Sequence, residues 1–167
     1  YATAKSPMAL AATDLDGDGR TDLAVAASDA NLVTVLLNQS DGSLAAHNYA
    51  ADSNPGSIVT ADLDGDGRPD LSVANLGGAV SVLLNGFEGT FPASASYPAS
   101  VSPASIAAAD LDGSGHLDLA VANKDGKLSV LLNHGDGTFA DAINQFVGIG
   151  YIGNLPVDRI SIAADDL

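Results

Sequence analysis

The chain has 167 residues, 46% of them hydrophobic, which is enough for one domain with its own core and excludes a disordered chain. Its net charge of −15 argues against nucleic acid or anionic membrane as a partner and favours cations. Cys is absent, so there is neither a disulfide framework nor thiol chemistry, and no apolar run approaches the length of a membrane span.

In chain order, the first predicted strand is the small apolar "MALAAT" (8–13), which leads into "DLDGDGRTD" (14–22). A second strand, "DLAVAA" (22–27), follows, and then a third, "LVTVLLN" (32–38), whose Val33, Val35 and Leu37 share one face. The turn "SDGS" (40–43) precedes a fourth strand starting at Leu44.

The same order then returns. "SIVTA", "DLDGDGRPD" (62–70), "DLSVAN" and "AVSVLLN" lead to the turn "FEGT" and a fourth strand from Phe91. "SIAAA", "DLDGSGHLD" (110–118), "DLAVAN" and "KLSVLLN" lead to "GDGT" and a fourth strand from Phe139. Asp14, Asp62 and Asp110 are spaced by 48 residues, and Tyr1, Tyr49 and Tyr97 keep the same phase. Ile162 and Asp166 open a fourth copy, displaced by an insertion at "GIGYIGNLP" (148–156).

Four short strands per unit of this length predict an all-β fold of antiparallel β-propeller blades. The expected organisation is one repeat domain over 1–167, with blades at about 1–48, 49–96 and 97–147 and the start of a fourth at 157–167. Three blades and a fraction do not close a ring of about four to eight. The expectation is therefore a longer propeller or self-association.

The acidic stretches hold eleven of the 21 acidic residues. Two carboxylates about 4 Å apart repel by about 1 kcal/mol even in bulk water, so such loops need a counter-charge. Calcium takes six to eight oxygen ligands, and D-x-D-x-D-G-x-x-D supplies them. In the first loop these are Asp14, Asp16, Asp18, the Arg20 carbonyl and Asp22. In the second they are Asp62, Asp64, Asp66, the Arg68 carbonyl and Asp70. In the third they are Asp110, Asp112, Ser114, the His116 carbonyl and Asp118. Gly19 allows the sharp turn, and the side chain at position 7 is free to vary. Ser114 lowers the charge of the third loop, so the weakest affinity is expected there. An EF-hand needs a Glu at position 12, where this chain has Val25, Val73 and Val121. Magnesium fits less well, because it demands a tight octahedron and keeps its waters.

The loop "DLDGDGRPDLSVAN", the strand "VSVLLN" and the turn "GDGTF" resemble FG-GAP/VCBS repeats, the blades of integrin-α-like calcium-binding propellers. The resemblance covers nearly the whole chain. It implies calcium at the three residue sets above and a scaffold found in adhesion proteins, in lectins and beside the catalytic domains of secreted enzymes.

No catalytic constellation is visible. His47, His116 and His134 occupy unrelated repeat positions, and "GIGYIG" lacks the Lys of a phosphate loop. The functional expectation is a non-catalytic, extracellular, calcium-stabilised module for adhesion or for binding carbohydrate or protein. The alternatives are a self-assembling surface array element or an accessory propeller of a secreted carbohydrate-active enzyme. Tyr49, Phe91, Tyr97, Phe139 and Tyr151 are candidates to stack on a sugar, with inter-blade packing as the competing role for the two Phe.

Overall fold

The structure, a computed structural model, describes residues 4–147. The expected insertion at 148–156 and fourth repeat at 157–167 lie outside the described residues, as do Tyr1 and Tyr151.

Among the described residues, twelve strands form three four-stranded antiparallel sheets, each in chain order. The first sheet is β1 (Pro7–Thr13), β2 (Asp22–Ala27), β3 (Leu32–Asn38) and β4 (Leu44–Ala50). The second is β5 (Pro55–Ala61), β6 (Asp70–Asn75), β7 (Ala79–Leu84) and β8 (Ala93–Pro98). The third is β9 (Pro103–Ala109), β10 (Asp118–Asn123), β11 (Lys127–Leu131) and β12 (Ile143–Phe146). This is the propeller-blade arrangement the repeat predicts. Each acidic loop is the connection between the first two strands of its blade, closed by the pairs Thr13–Asp22, Ala61–Asp70 and Ala109–Asp118.

The fourth strand of the first blade starts at Leu44 as expected, and those of the second and third blades start later. Strand β8 begins at Ala93 rather than Phe91, and β12 at Ile143 rather than Phe139. Pro92 has no N–H for a ladder, and Phe91 and Phe139 turn inward instead. The third strands of blades two and three stop before Asn85 and Asn133, whose backbone N–H groups donate to aspartates rather than to a neighbouring strand.

The core lies between blades. Ala24, Ala26, Val33, Val35 and Leu37 of the first blade meet Leu71, Val73 and Leu83 of the second. Ala74, Val80 and Val82 of the second meet Ile106, Leu119 and Leu131 of the third. The small Ala of each second strand leaves room for the Leu and Val of the following blade. Aromatic pairs seal the outer part of each boundary. Tyr49 meets Phe91 at 5.3 Å and 75°, and Tyr97 meets Phe139 at 5.4 Å and 75°. These edge-to-face contacts give all four rings a packing role, with Phe91 and Phe139 buried and Tyr49 and Tyr97 half-buried.

Candidate metal centres

The three loops fold alike because the same groups recur in each. The first aspartate gathers backbone donors. Asp14 Oδ1 accepts Gly17 N at 2.8 Å and Asp18 N at 3.2 Å, and its Oδ2 accepts Gly19 N at 2.8 Å. Asp62 and Asp110 repeat all three bonds at 2.8–3.1 Å. Curling the chain this tightly needs positive φ at both loop glycines, +80° at Gly17 and +86° at Gly19. The first of these glycines escaped the sequence reading, although the repeated D-G-D-G signals it.

The result is a cage of oxygens. Carboxylate oxygens of Asp14, Asp16 and Asp18 lie within 4.8 Å of one another, as do those of Asp62, Asp64 and Asp66. In the third loop the set is Asp110, Asp112 and Asp118, with Ser114 turned to accept His116 N at 3.3 Å. These are hard oxygen donors only, within the reach of a single cation, so the residues present fit calcium.

The position-9 aspartates are placed differently from the rest. Asp22, Asp70 and Asp118 are fully buried. Asp22 Oδ2 accepts Leu15 N at 2.8 Å and Oδ1 accepts Asn38 N at 2.7 Å. Asp70 does the same with Leu63 and Asn85, and Asp118 with Leu111 and Asn133. Each therefore ties its loop to the end of the third strand, a structural duty beyond closing a metal site.

Carboxylate crowding shows in the proton affinities. Partial burial raises Asp16 above the usual Asp range, and the charges of Asp22 and Asp14 raise it further, against the pull of Arg20. Burial raises Asp70 too, against the bonds from Asn85 and Leu63 and reinforced by the charges of Asp64 and Asp62.

The arginine side chains are not idle. Arg20 pairs with Asp18 and Arg68 with Asp66, while their Nε atoms donate to Asn38 O at 2.6 Å and Asn85 O at 2.9 Å. Each arginine thus offsets one carboxylate. With four aspartates and one arginine, the first two loops carry a formal −3, and the third, with three aspartates and a neutral His116, carries the same. The charge argument for a weak third site therefore cancels. What separates that site is one ligand group, a hydroxyl in place of a carboxylate.

Beside the first loop, the turn of the second blade completes an open cleft. It is lined by Asp16, Asp18, Gln39, His47 and Glu88, among others. Gly89 makes the approach close, since a Cβ there would stand 2.8 Å from Leu37 Cδ2 and 3.4 Å from Asp16 Cβ. Phe87, which the sequence reading passed over, is 69% exposed on the same turn.

A family model described as FG-GAP-like repeat matches the chain three times, over residues 14–73, 62–121 and 110–167. A search of curated proteins gave no match. Among solved structures, the chain is similar to the crystal structure of BBS1N in complex with ARL6DN, soaked with lead. There the identity is 17% and the TM-score 0.59, over 88% of this chain and 46% of that one. It also matches the Photorhabdus luminescens Tc holotoxin pore carrying the TccC3-D651A mutation. In that case the identity is 23% and the TM-score 0.47, over 84% of this chain and 7% of that one. The chain spans less than half the length of either structure.

Proposed function

Because the chain belongs to the FG-GAP-like repeat family, a β-propeller-like module, we propose that it is a non-catalytic binding scaffold whose blades are fastened by calcium. The observation that carries this reading is the cage of three carboxylates repeated in all three loops. Asp14, Asp16, Asp18 and Asp22 hold the first ion with the Arg20 carbonyl, and the equivalent residues hold the other two. The metal would supply charge neutralisation and a fixed loop shape, with no chemistry on a substrate. Calcium bound by the folded chain and not by the unfolded one adds its binding free energy to folding. Calorimetric titration should show about three calcium ions per chain, with magnesium much weaker. Absence of calcium heat together with an unchanged melt would refute the reading.

The proposed setting is extracellular, where calcium-binding modules work with affinities of about 10⁻⁴–10⁻³ M. No helix among the described residues is long and apolar enough to cross a membrane. We place the ligand surface, for carbohydrate or protein, at the cleft beside the first loop, where the exposed Phe87 adjoins Glu88. A glycan array with a Phe87→Ala control tests the carbohydrate branch. Equal binding by both proteins would remove Phe87 from it.

A second reading, extension of the stack, is favoured by the end faces. Leu10 is 64% exposed, whereas Ile106 at the same repeat position is 5% exposed behind the second blade. Leu111 is 47% exposed, against 2% for Leu15 and Leu63. These surfaces match those that already meet inside the structure, so the proposed occupant is a blade of the same kind, supplied by a second copy wherever no further blade of the same chain covers them. Light scattering should show self-association that Leu10→Glu weakens. A monomer at every concentration would remove this reading.

A further inference from the structure

Two asparagines outside the acidic loops link those loops through one buried hydrogen-bonded chain. Leu15, at position 2 of the first loop, donates its N–H to Asp22 and accepts Asn85 Nδ2 on its carbonyl at 2.8 Å, across the blade boundary. Asn85 N donates to Asp70 Oδ1 at 2.7 Å, and Asp70 Oδ2 accepts Leu63 N at 2.8 Å. Leu63 O then accepts Asn133 Nδ2 at 2.8 Å, and Asn133 N donates to Asp118 Oδ1 at 2.8 Å. The chain ends with Leu111 N on Asp118 Oδ2 at 2.9 Å. Asn85 is 1% exposed and Asn133 7%. Each also donates to its own loop, to Pro69 O at 3.0 Å and Leu117 O at 2.9 Å.

We propose that Asn85 and Asn133 are positioning residues shared by neighbouring loops, so that calcium in one blade prepares the site in the next and binding is cooperative. The inference rests on the calcium reading above. An aspartate drawn toward a metal moves its two backbone partners. One partner is the position-2 leucine, whose peptide planes are rigid and whose side chain is packed at the boundary in the first two blades. That leucine's carbonyl holds the asparagine of the next blade, and the asparagine's N–H holds the next position-9 aspartate. The links from Leu15 to Asp118 are buried, out of reach of a solvent bond that would replace them and end the transmission, and only the last, from Leu111, is part-buried. Asn38 provides an internal control. It occupies the same repeat position, yet among the described residues its Nδ2 donates within its own blade alone, to Thr21 O at 3.3 Å.

The test is calorimetric calcium titration of the full chain. The wild type and Asn38→Ala should titrate with a Hill coefficient above 1, and Asn85→Ala should bring it toward 1. Disabling the first loop with Asp16→Asn should weaken calcium at the remaining sites by about fivefold or more in the wild type, and not in the Asn85→Ala background. If Asn85→Ala fails to fold, Asn133→Ala reads the second junction, and the effect of Asp16→Asn alone still decides the matter. Three calcium ions bound independently, with Asp16→Asn leaving the other sites unchanged, would overturn the coupling while the calcium reading stands. No calcium binding at all would instead overturn the reading beneath it.

Discussion

Asn85 and Leu15 are 70 residues apart in sequence, yet Asn85 Nδ2 donates to the Leu15 carbonyl at 2.8 Å inside the first blade boundary. Asn133 makes the same bond to Leu63. Asn85→Ala removes the partner of two carbonyls, Leu15 O and Pro69 O, and leaves Leu15 O buried. A loss of about 1–3 kcal/mol is expected. Asn38→Ala, at the exposed end of the array, should cost less than half as much. Urea melts at fixed calcium compare the two, and equal costs would remove the boundary bond from the account.

Calcium removal should loosen the blades together. Without metal, crowded carboxylates in each loop face only one arginine, or none in the third. Melting temperature should fall by ten degrees or so on chelation, which corresponds to a few kcal/mol in a domain of this size. Thermal melts with and without EDTA measure it.

Two aspartates of one loop should behave differently. Asp70→Asn puts an N–H₂ where both oxygens accept backbone N–H groups in a fully buried position. It should cost about 1–3 kcal/mol even in EDTA. Asp64→Asn relieves repulsion in the metal-free chain, so it should leave or raise stability in EDTA and lower calcium affinity. Chemical denaturation in both conditions separates the roles.

For the calcium-depleted chain, stability should rise as pH falls through the raised folded values of Asp16 and Asp70 toward the unfolded value of about 3.9. Asp16 and Asp70 are raised in the folded state, mainly by burial. Between the unfolded value of about 3.9 and the raised folded values, the folded chain holds more protons, so stability is lost as pH rises through that window. Asp41, Asp125 and Asp136 are lowered, first of all by side-chain hydrogen bonds from Ser43, Ser100 and Thr138. Their contributions are lost only below that window, as pH falls through the depressed values. With saturating calcium the slope should reverse, because the metal needs ionised ligands. Urea midpoints across pH check both slopes.

Gly89→Ala and Gly42→Ala test the packing of the turn on the preceding blade. Both glycines have positive φ, +67° and +80°, so each alanine carries backbone strain of about 1–2 kcal/mol. At Gly42 a new Cβ meets nothing within 4 Å. At Gly89 it meets Leu37 Cδ2 at 2.8 Å, which adds an overpacking cost of about 1–3 kcal/mol. Equal losses at the two sites would show that the turn does not bear on the first blade.

Much of the fold was legible in the sequence because the repeat states it three times. Val33, Val35 and Leu37 alternate as one face, and the structure buries that face against the second blade. The fourth strands were less legible. Phe91 and Phe139 look like strand starters, but Pro92 has no N–H for a ladder, and Phe139 makes an isolated bridge with Asn133 before the ladder opens at Ile143. Position 7 of the loop was read as indifferent in side chain, because its pairing with Asp18 and its reach to the third-strand end depend on three-dimensional approach.

By itself the sequence determined the blade, its period and the acidic loop. All three follow from local alternation, turn chemistry and the spacing of charges along the chain. Only the tertiary structure decided what joins one blade to the next. An asparagine such as Asn85 or Asn133, just past the third strand of its blade, is ordinary in sequence. Its function comes from a carbonyl 70 residues away, brought within 2.8 Å because Leu and Val faces must be buried against a neighbouring blade.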